Sequence, residues 1–161
     1  MHIEKNEVSI ITLEKEIKVF GLSHLKTGID PFALWGKKGD ILRDVKHVKT
    51  PPTQYGIWTP PHPGGDYFVG AEVTAFEGQD TAYSTFTIPP GRYVQVTFNA
   101  QSIDQLLTEK IWSCGVEGIG ERAALLGVAV NEDDITVEIY PDGLFEMQYP
   151  EMFYLWRIKE S

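Results

Sequence analysis

Apolar and polar residues alternate along several stretches of the chain with the two-residue period of a strand that has one wet face. The first is residues 16–25, EIKVFGLSHL, where Ile17, Val19 and Leu22 supply apolar positions and Gly21 marks a bulge or a close backbone approach. Residues 55–59 (YGIWT) and 66–76 (DYFVGAEVTAF) read as a hairpin around the loop Pro60-Pro61-His62-Pro63-Gly64-Gly65. After a polar break at residues 77–81 the pattern restarts at 84–88, passes the turn Pro89-Pro90-Gly91, and is strongest over 92–98. Two further strands are expected at 135–141 (ITVEIYP) and 152–159, joined by a loop containing Asp142-Gly143.

A helical period replaces the alternation in two places. After Asp30, a fitting N-cap, and Pro31, suited to the first helical position, Phe32, Trp35, Ile41, Leu42 and Val45 form an apolar stripe. Gly36 and Gly39 weaken it, and the prolines of TPPTQ end it. Ser102 reads as the N-cap of a second helix carrying Ile103, Leu106, Leu107, Ile111 and Trp112 and ending near Gly115. Residues 121–130 have room for one or two more helical turns. Each half of the chain therefore runs strand, helix, strand, strand, with Trp35 and Trp112 at similar places. The order predicts a duplicated α+β domain, a largely antiparallel sheet with helices on one face.

Composition keeps this as one domain. The 161 residues, 42% hydrophobic and 23% charged, suffice for a single core of about residues 16–160 without disulfide or metal staples. The first residues lack the basic, apolar, small-residue order of a signal peptide, and no apolar run is long enough to cross a bilayer. With a lone Cys114, the expected location is the cytoplasm, with no membrane partner. Fourteen Lys and Arg against 23 Asp and Glu give a net charge of -9, which disfavours direct nucleic-acid binding and suits a cationic or neutral partner. The densest basic stretch, at residues 37–49, is interrupted by Asp40 and Asp44 and reads as a solvated helix face.

Several chemistries find no support. His2, His24, His47 and His62 have no paired spacing, so neither a metal site nor a cofactor is expected. Gly115, Gly118 and Gly120 follow a helix, not a strand, and lack the Lys-Ser/Thr of a phosphate cradle. Cys114 has no sequence-adjacent base and reads as an inert thiol. In ITVEIYP, alternation sends Ile135, Val137 and Ile139 one way and Thr136, Glu138 and Tyr140 the other. Glu138 is either the wet side of a strand or a carboxylate facing a cleft. The alternation does not choose.

A set of phrases in fixed order bears on that choice: DYFVGAEV (66–73), IPPGRY (88–93), the helix end Lys110-Ile111-Trp112, VEIY (137–140) and FYLWRI (153–158). Together, from residue 16 onward, they resemble the GyrI-like, or AraC-type effector-binding, domain family. Its members carry a Y-x-x-G-x-E-V phrase in the first hairpin, a P-x-G-x-Y turn, a tryptophan on the second helix and an E-x-Y strand near the end. The resemblance implies a central cleft between two duplicated halves that binds small lipophilic, often cationic molecules, with Glu138 in that cleft.

If the cleft is lined by aromatics, a partly desolvated Glu138 attracts an organic cation strongly, and Tyr or Trp faces add to the attraction. The expected ligand-binding set is Glu138, Trp112, Tyr93, Tyr154, Tyr67, Trp58, Glu72, Tyr140 and Trp156, with Tyr55 and Phe68 as further aromatic candidates. Glu72 serves equally as a structural salt bridge, and Trp35 and Trp112, at helical spacing, are more often core than cage. The expected function is a stand-alone small-molecule-binding protein, serving as a sensor in transcription regulation or drug resistance, with no catalytic residue. The alternatives are a hydrolase in which Glu138 acts as general base and Tyr93 or Tyr154 polarises the leaving atom, or a protein-protein adaptor. No helix-turn-helix fits before residue 16, so DNA readout would need a separate partner, and strand 16–25 could pair across a homodimer.

Overall fold

A computed structural model describes residues 7–61, 64–106 and 116–160. Eight strands form one sheet: β1 (Glu7–Leu13), β2 (Ile17–Ser23), β3 (Gln54–Trp58), β4 (Tyr67–Val73), β5 (Ser84–Ile88), β6 (Gly91–Asn99), β7 (Thr136–Tyr140) and β8 (Glu151–Arg157). Their order is β1-β6-β8-β7-β3-β4-β2-β5, and every pairing is antiparallel. The α+β class and the antiparallel sheet are as the sequence predicts.

The order contains the duplication. In the first half β2 and β3 flank β4, in the second β6 and β7 flank β8, and β3 pairs with β7 to join the halves. The remaining strands are exchanged: β1 precedes the first half but pairs with β6 of the second, while β5 precedes the second but pairs with β2 of the first. Alternation does not reveal β1. Its Val8 and Ile10 pack against one core cluster and Ile11 and Leu13 against another, so the strand is apolar on both faces and lacks a period of two. The exchange also corrects the expectation that strand 16–25 is an exposed edge. β2 is paired on both sides, by β4 and β5, and offers no free edge.

A single turn, α1 (His24–Thr27), precedes the first helical stripe, which folds in three short pieces: α2 (Pro31–Leu34), a 3-10 turn (Trp35–Lys37) and α3 (Lys38–Asp44). Asp30 caps α2 by accepting from the Phe32 amide at 3.0 Å, with Pro31 at the start. The break falls at Gly36, where helix propensity is lowest. In the second half Ser102 caps α4 (Ile103–Gln105), accepting from the Gln105 amide at 3.1 Å, and α5 runs Val116–Leu125, earlier than the 121–130 expected. The rest of the helix expected after Ser102, with Leu107, Ile111 and Trp112, lies outside the described residues.

Both helical groups lie on one face. α2 and α3 cover Phe20, Val69, Ala71 and Val73 through Leu34 and Ile41, and α4 and α5 cover Val94, Val96 and Phe98 through Leu106, Ile119 and Ala123. The reverse face buries Val19, Tyr55, Ile57, Phe68, Tyr93, Val137 and Leu155 together. The two covers stand over opposite halves of the sheet, and the central pair β3–β7 lies between them.

Gly21 sits opposite Gly70 in an unbroken register, so it marks a close approach and not a bulge. A β-carbon at Gly21 would overlap the Val69 carbonyl oxygen and lie 2.6 Å from Gly70 Cα, whereas one at Gly36 would meet nothing within 4 Å. Gly21→Ala is therefore expected to destabilise the fold by at least about 1–3 kcal/mol, while Gly36→Ala should leave stability unchanged or raise it by up to about 1 kcal/mol. Urea denaturation of the two variants checks this, and equal effects would contradict the packing.

Candidate functional site

The site grows from the register of the central strands. Glu138 on β7 faces Gly56 on β3 and Tyr154 on β8, and Gly56 faces Val69 on β4. Partners in register share a face, so Glu138 points to the helix-bearing side, between the two covers. Gly56 leaves the space beside it empty: a β-carbon there would overlap both Tyr67 Oη and Glu138 Oε1. The glutamate side chain fills that space, lying along the sheet instead of standing away from it.

Four donors meet the carboxylate. Tyr67 Oη donates to Oε1 at 2.7 Å and Tyr140 Oη to the same oxygen at 2.9 Å. Trp58 Nε1 donates to Oε2 at 2.9 Å, and Tyr154 Oη more loosely at 3.4 Å. Behind them, Trp35 Nε1 donates to Tyr67 Oη at 2.9 Å, so that hydroxyl is held from both sides. The rings pack as walls: Trp58 on Tyr67 with centroids 4.2 Å apart, and Trp35 edge-on to Tyr140 at 4.7 Å and 71°.

Glu138 is 6% exposed, and among the described residues no Lys, Arg or His pairs with it. Burial pushes its carboxyl above the ordinary 4.5, against the four donors, which pull the other way. Tyr67 and Tyr140 are pushed above the usual phenol value, first by burial and then by the neighbouring carboxylate. Chemically, the site is a buried carboxyl walled by aromatic rings, with no counter-ion among the described residues.

The structure brings five of the expected residues together, Glu138, Trp58, Tyr67, Tyr140 and Tyr154. Two others it separates. Tyr93 and Glu72 fall on the reverse face, because each is one position out of phase with the residues on the Glu138 side of its strand. Tyr93 donates to the Pro89 carbonyl at 2.6 Å and accepts from Arg157 at 2.8 Å. Glu72 accepts from Tyr55 Oη at 2.7 Å and pairs with Lys49 at 3.1 Å, the structural salt bridge that was its other reading. Tyr55 and Phe68 are on that reverse face as well. Trp156 shares the Glu138 side but packs on the second-half core, with its buried Nε1 unbonded among the described residues. Trp112 lies outside the described residues. Sequence reasoning missed Gly56 and read Trp35 as core in preference to cage. The glycine within YGIWT was a visible signal, since a strand glycine often marks a close approach.

No family model and no curated protein sequence matches the chain. Solved structures do. SAV2435 bound to tetraphenylphosphonium aligns with a TM-score of 0.65 at 14% identity, over 95% of this chain and 94% of that one. The EcmrR C-terminal domain aligns at 0.60 and 12% identity, over 97% of this chain and 99% of that one. The chain has the fold of these structures, a GyrI-like fold. EcmrR in its complex with DNA aligns at 0.59 and 14% identity, over 97% of this chain but 58% of the longer one. In this chain the GyrI-like fold sets the E-x-Y strand at the seam of the two halves, which is where Glu138 lies. Among the described residues no helix is long and apolar enough to cross a membrane, and no three His, Cys, Asp or Glu are grouped to hold a metal ion.

The raised Glu138 carboxyl makes stability depend on pH in a defined direction. The native state binds this proton more tightly than the unfolded chain, so stability without ligand falls as pH rises from the ordinary 4.5 through the raised value. Every tenfold by which the fold tightens its hold on the proton is worth about 1.4 kcal/mol. Glu138→Gln should flatten that part of the profile, measured as urea midpoints over a pH series. An identical slope in both proteins would contradict a buried, unpaired carboxylate.

Proposed function

We propose that this chain is a small-molecule-binding module whose cleft captures lipophilic organic cations, with Glu138 as the charge and Trp58, Tyr67, Tyr140 and Tyr154 as the walls. The observation that carries this reading is the carboxylate itself: 6% exposed, held by four aromatic donors and lacking a cationic partner among the described residues. Burying an unpaired charge costs several kcal/mol, and a site retaining one is built to be neutralised by something that arrives. A lipophilic cation does so, and its apolar groups gain the ring faces at about 0.5–2 kcal/mol per contact. The neighbour SAV2435, bound to tetraphenylphosphonium, supports the same chemistry by analogy of fold.

The hydrolase alternative requires Glu138 to take a proton from water. Tyr67 and Tyr140 both donate to Oε1, which fits holding charge better than general-base work. Tyr93, one of the two tyrosines assigned to the leaving atom, faces away from the cleft. For its wider role we favour a cytoplasmic sensor acting in regulation through a separate DNA-binding partner, since a net charge of -9 opposes direct contact with phosphates.

Glu138→Gln should weaken binding of tetraphenylphosphonium by about ten-fold or more, the scale set by losing a little over 1 kcal/mol of charge attraction. Trp58→Phe, which keeps a ring but removes the indole donor, should cost less. Isothermal titration with the two variants, extended to a panel of cationic dyes, checks this. Unchanged affinity of Glu138→Gln across the panel would sink the assignment.

A further inference from the structure

The way the carboxylate is held constrains which cation it accepts. An ionised carboxylate offers about four lone-pair positions, two on each oxygen. On Oε1 both are occupied, by Tyr67 at 2.7 Å and Tyr140 at 2.9 Å. On Oε2 one is taken by Trp58 at 2.9 Å and the other, at 3.4 Å, is approached by Tyr154. The charge is exposed to attraction, but its acceptor capacity is largely used.

A primary ammonium or guanidinium brings several N–H groups, each of which leaves a water behind when it enters. In the cleft such a group finds capped carboxylate oxygens and phenol oxygens, which are weaker acceptors. Of the phenols, Tyr67 already accepts from Trp35 at 2.9 Å. To bond directly, the N–H must displace an aromatic donor, which then loses its own partner in a buried place. A quaternary ammonium, a phosphonium or an N-alkylated heteroaromatic ring has no N–H to satisfy. It takes the Coulomb attraction and the ring faces and leaves the four bonds intact.

Gly56 makes this capping geometrically available. Tyr67 Oη and Glu138 Oε1 meet over its Cα, in the volume that any β-carbon would occupy. A side chain at position 56 would lift the carboxylate from the phenol and free its oxygen. We propose that the cleft selects organic cations without N–H donors, and that Gly56 is the positioning residue that sets this preference by letting Glu138 lie flat beneath its aromatic donors. The proposal rests on the reading of the cleft as a cation site and narrows it to one class of cation.

The test is a matched pair, naphthylmethyl-trimethylammonium and naphthylmethylammonium, titrated calorimetrically at neutral pH against the wild-type chain and against Tyr140→Phe and Gly56→Ala. The trimethylammonium should bind more tightly by about ten-fold or more, the scale of one unmade hydrogen bond. Because added methyl groups favour binding on their own, the deciding quantity is how the gap changes. Tyr140→Phe removes one hydroxyl, frees a position on Oε1, and should narrow the gap several-fold through tighter binding of the primary ammonium. Gly56→Ala should narrow it in the same way, and Tyr140→Phe alone decides the matter should that variant not fold. Equal wild-type affinities, or a gap unchanged in Tyr140→Phe or in folded Gly56→Ala, overturn the proposal while leaving the cleft a cation site. Binding of neither ligand to the wild-type chain overturns both.

Discussion

A carboxyl held out of water at the seam of the sheet is the constraint around which this molecule is arranged. Glu138 lies where β7 meets β3, 6% exposed, and the protein supplies it with hydrogen bonds but, among the described residues, with no counter-charge. Hydrogen bonds from Tyr67, Tyr140, Trp58 and Tyr154 offset part of the desolvation. The carboxyl's rise above its ordinary value shows that burial outweighs those bonds.

The fold explains how one residue comes to be so placed. Each half covers its outer strands with its own helices, and the seam strand of each half, β3 or β7, is left between the covers. The donors come from both halves: Trp58 and Tyr67 from the first hairpin, Tyr140 and Tyr154 from β7 and β8. Neither half could form the cage alone. The exchange of β1 and β5 ties the halves a second time, so the seam does not depend on the β3–β7 ladder by itself.

Much of this was legible in the chain, for identifiable reasons. The apolar pattern located β2 to β8, with the end of β4 three residues out, and proline and glycine mark the turns. It failed at β1, where Val8, Ile10, Ile11 and Leu13 are packed against core on both faces. The residues of β7 and β8 that meet at Glu138 were singled out through the ordered motifs, not through periodicity. That Tyr93 and Glu72 lie on the face opposite Glu138 was not legible, because a side chain's face depends on the phase of each strand against its neighbours, and register is a tertiary property. Trp35 escaped for a related reason. Its indole reaches Tyr67 only because the helix breaks into a 3-10 turn at Trp35–Lys37 and sets it against the first hairpin.

The central claim is that a lipophilic cation is neutralised at Glu138. Tetraphenylarsonium places an anomalous scatterer at the centre of such a cation, so a crystal of the chain soaked in it, measured at the arsenic edge, locates the charge without interpretation of weak ligand density. The account predicts one dominant anomalous peak between the two helical covers, beside Glu138 and ringed by Trp58, Tyr67, Tyr140 and Tyr154. A dominant peak on the reverse face beside Glu72, with none at Glu138, would contradict it.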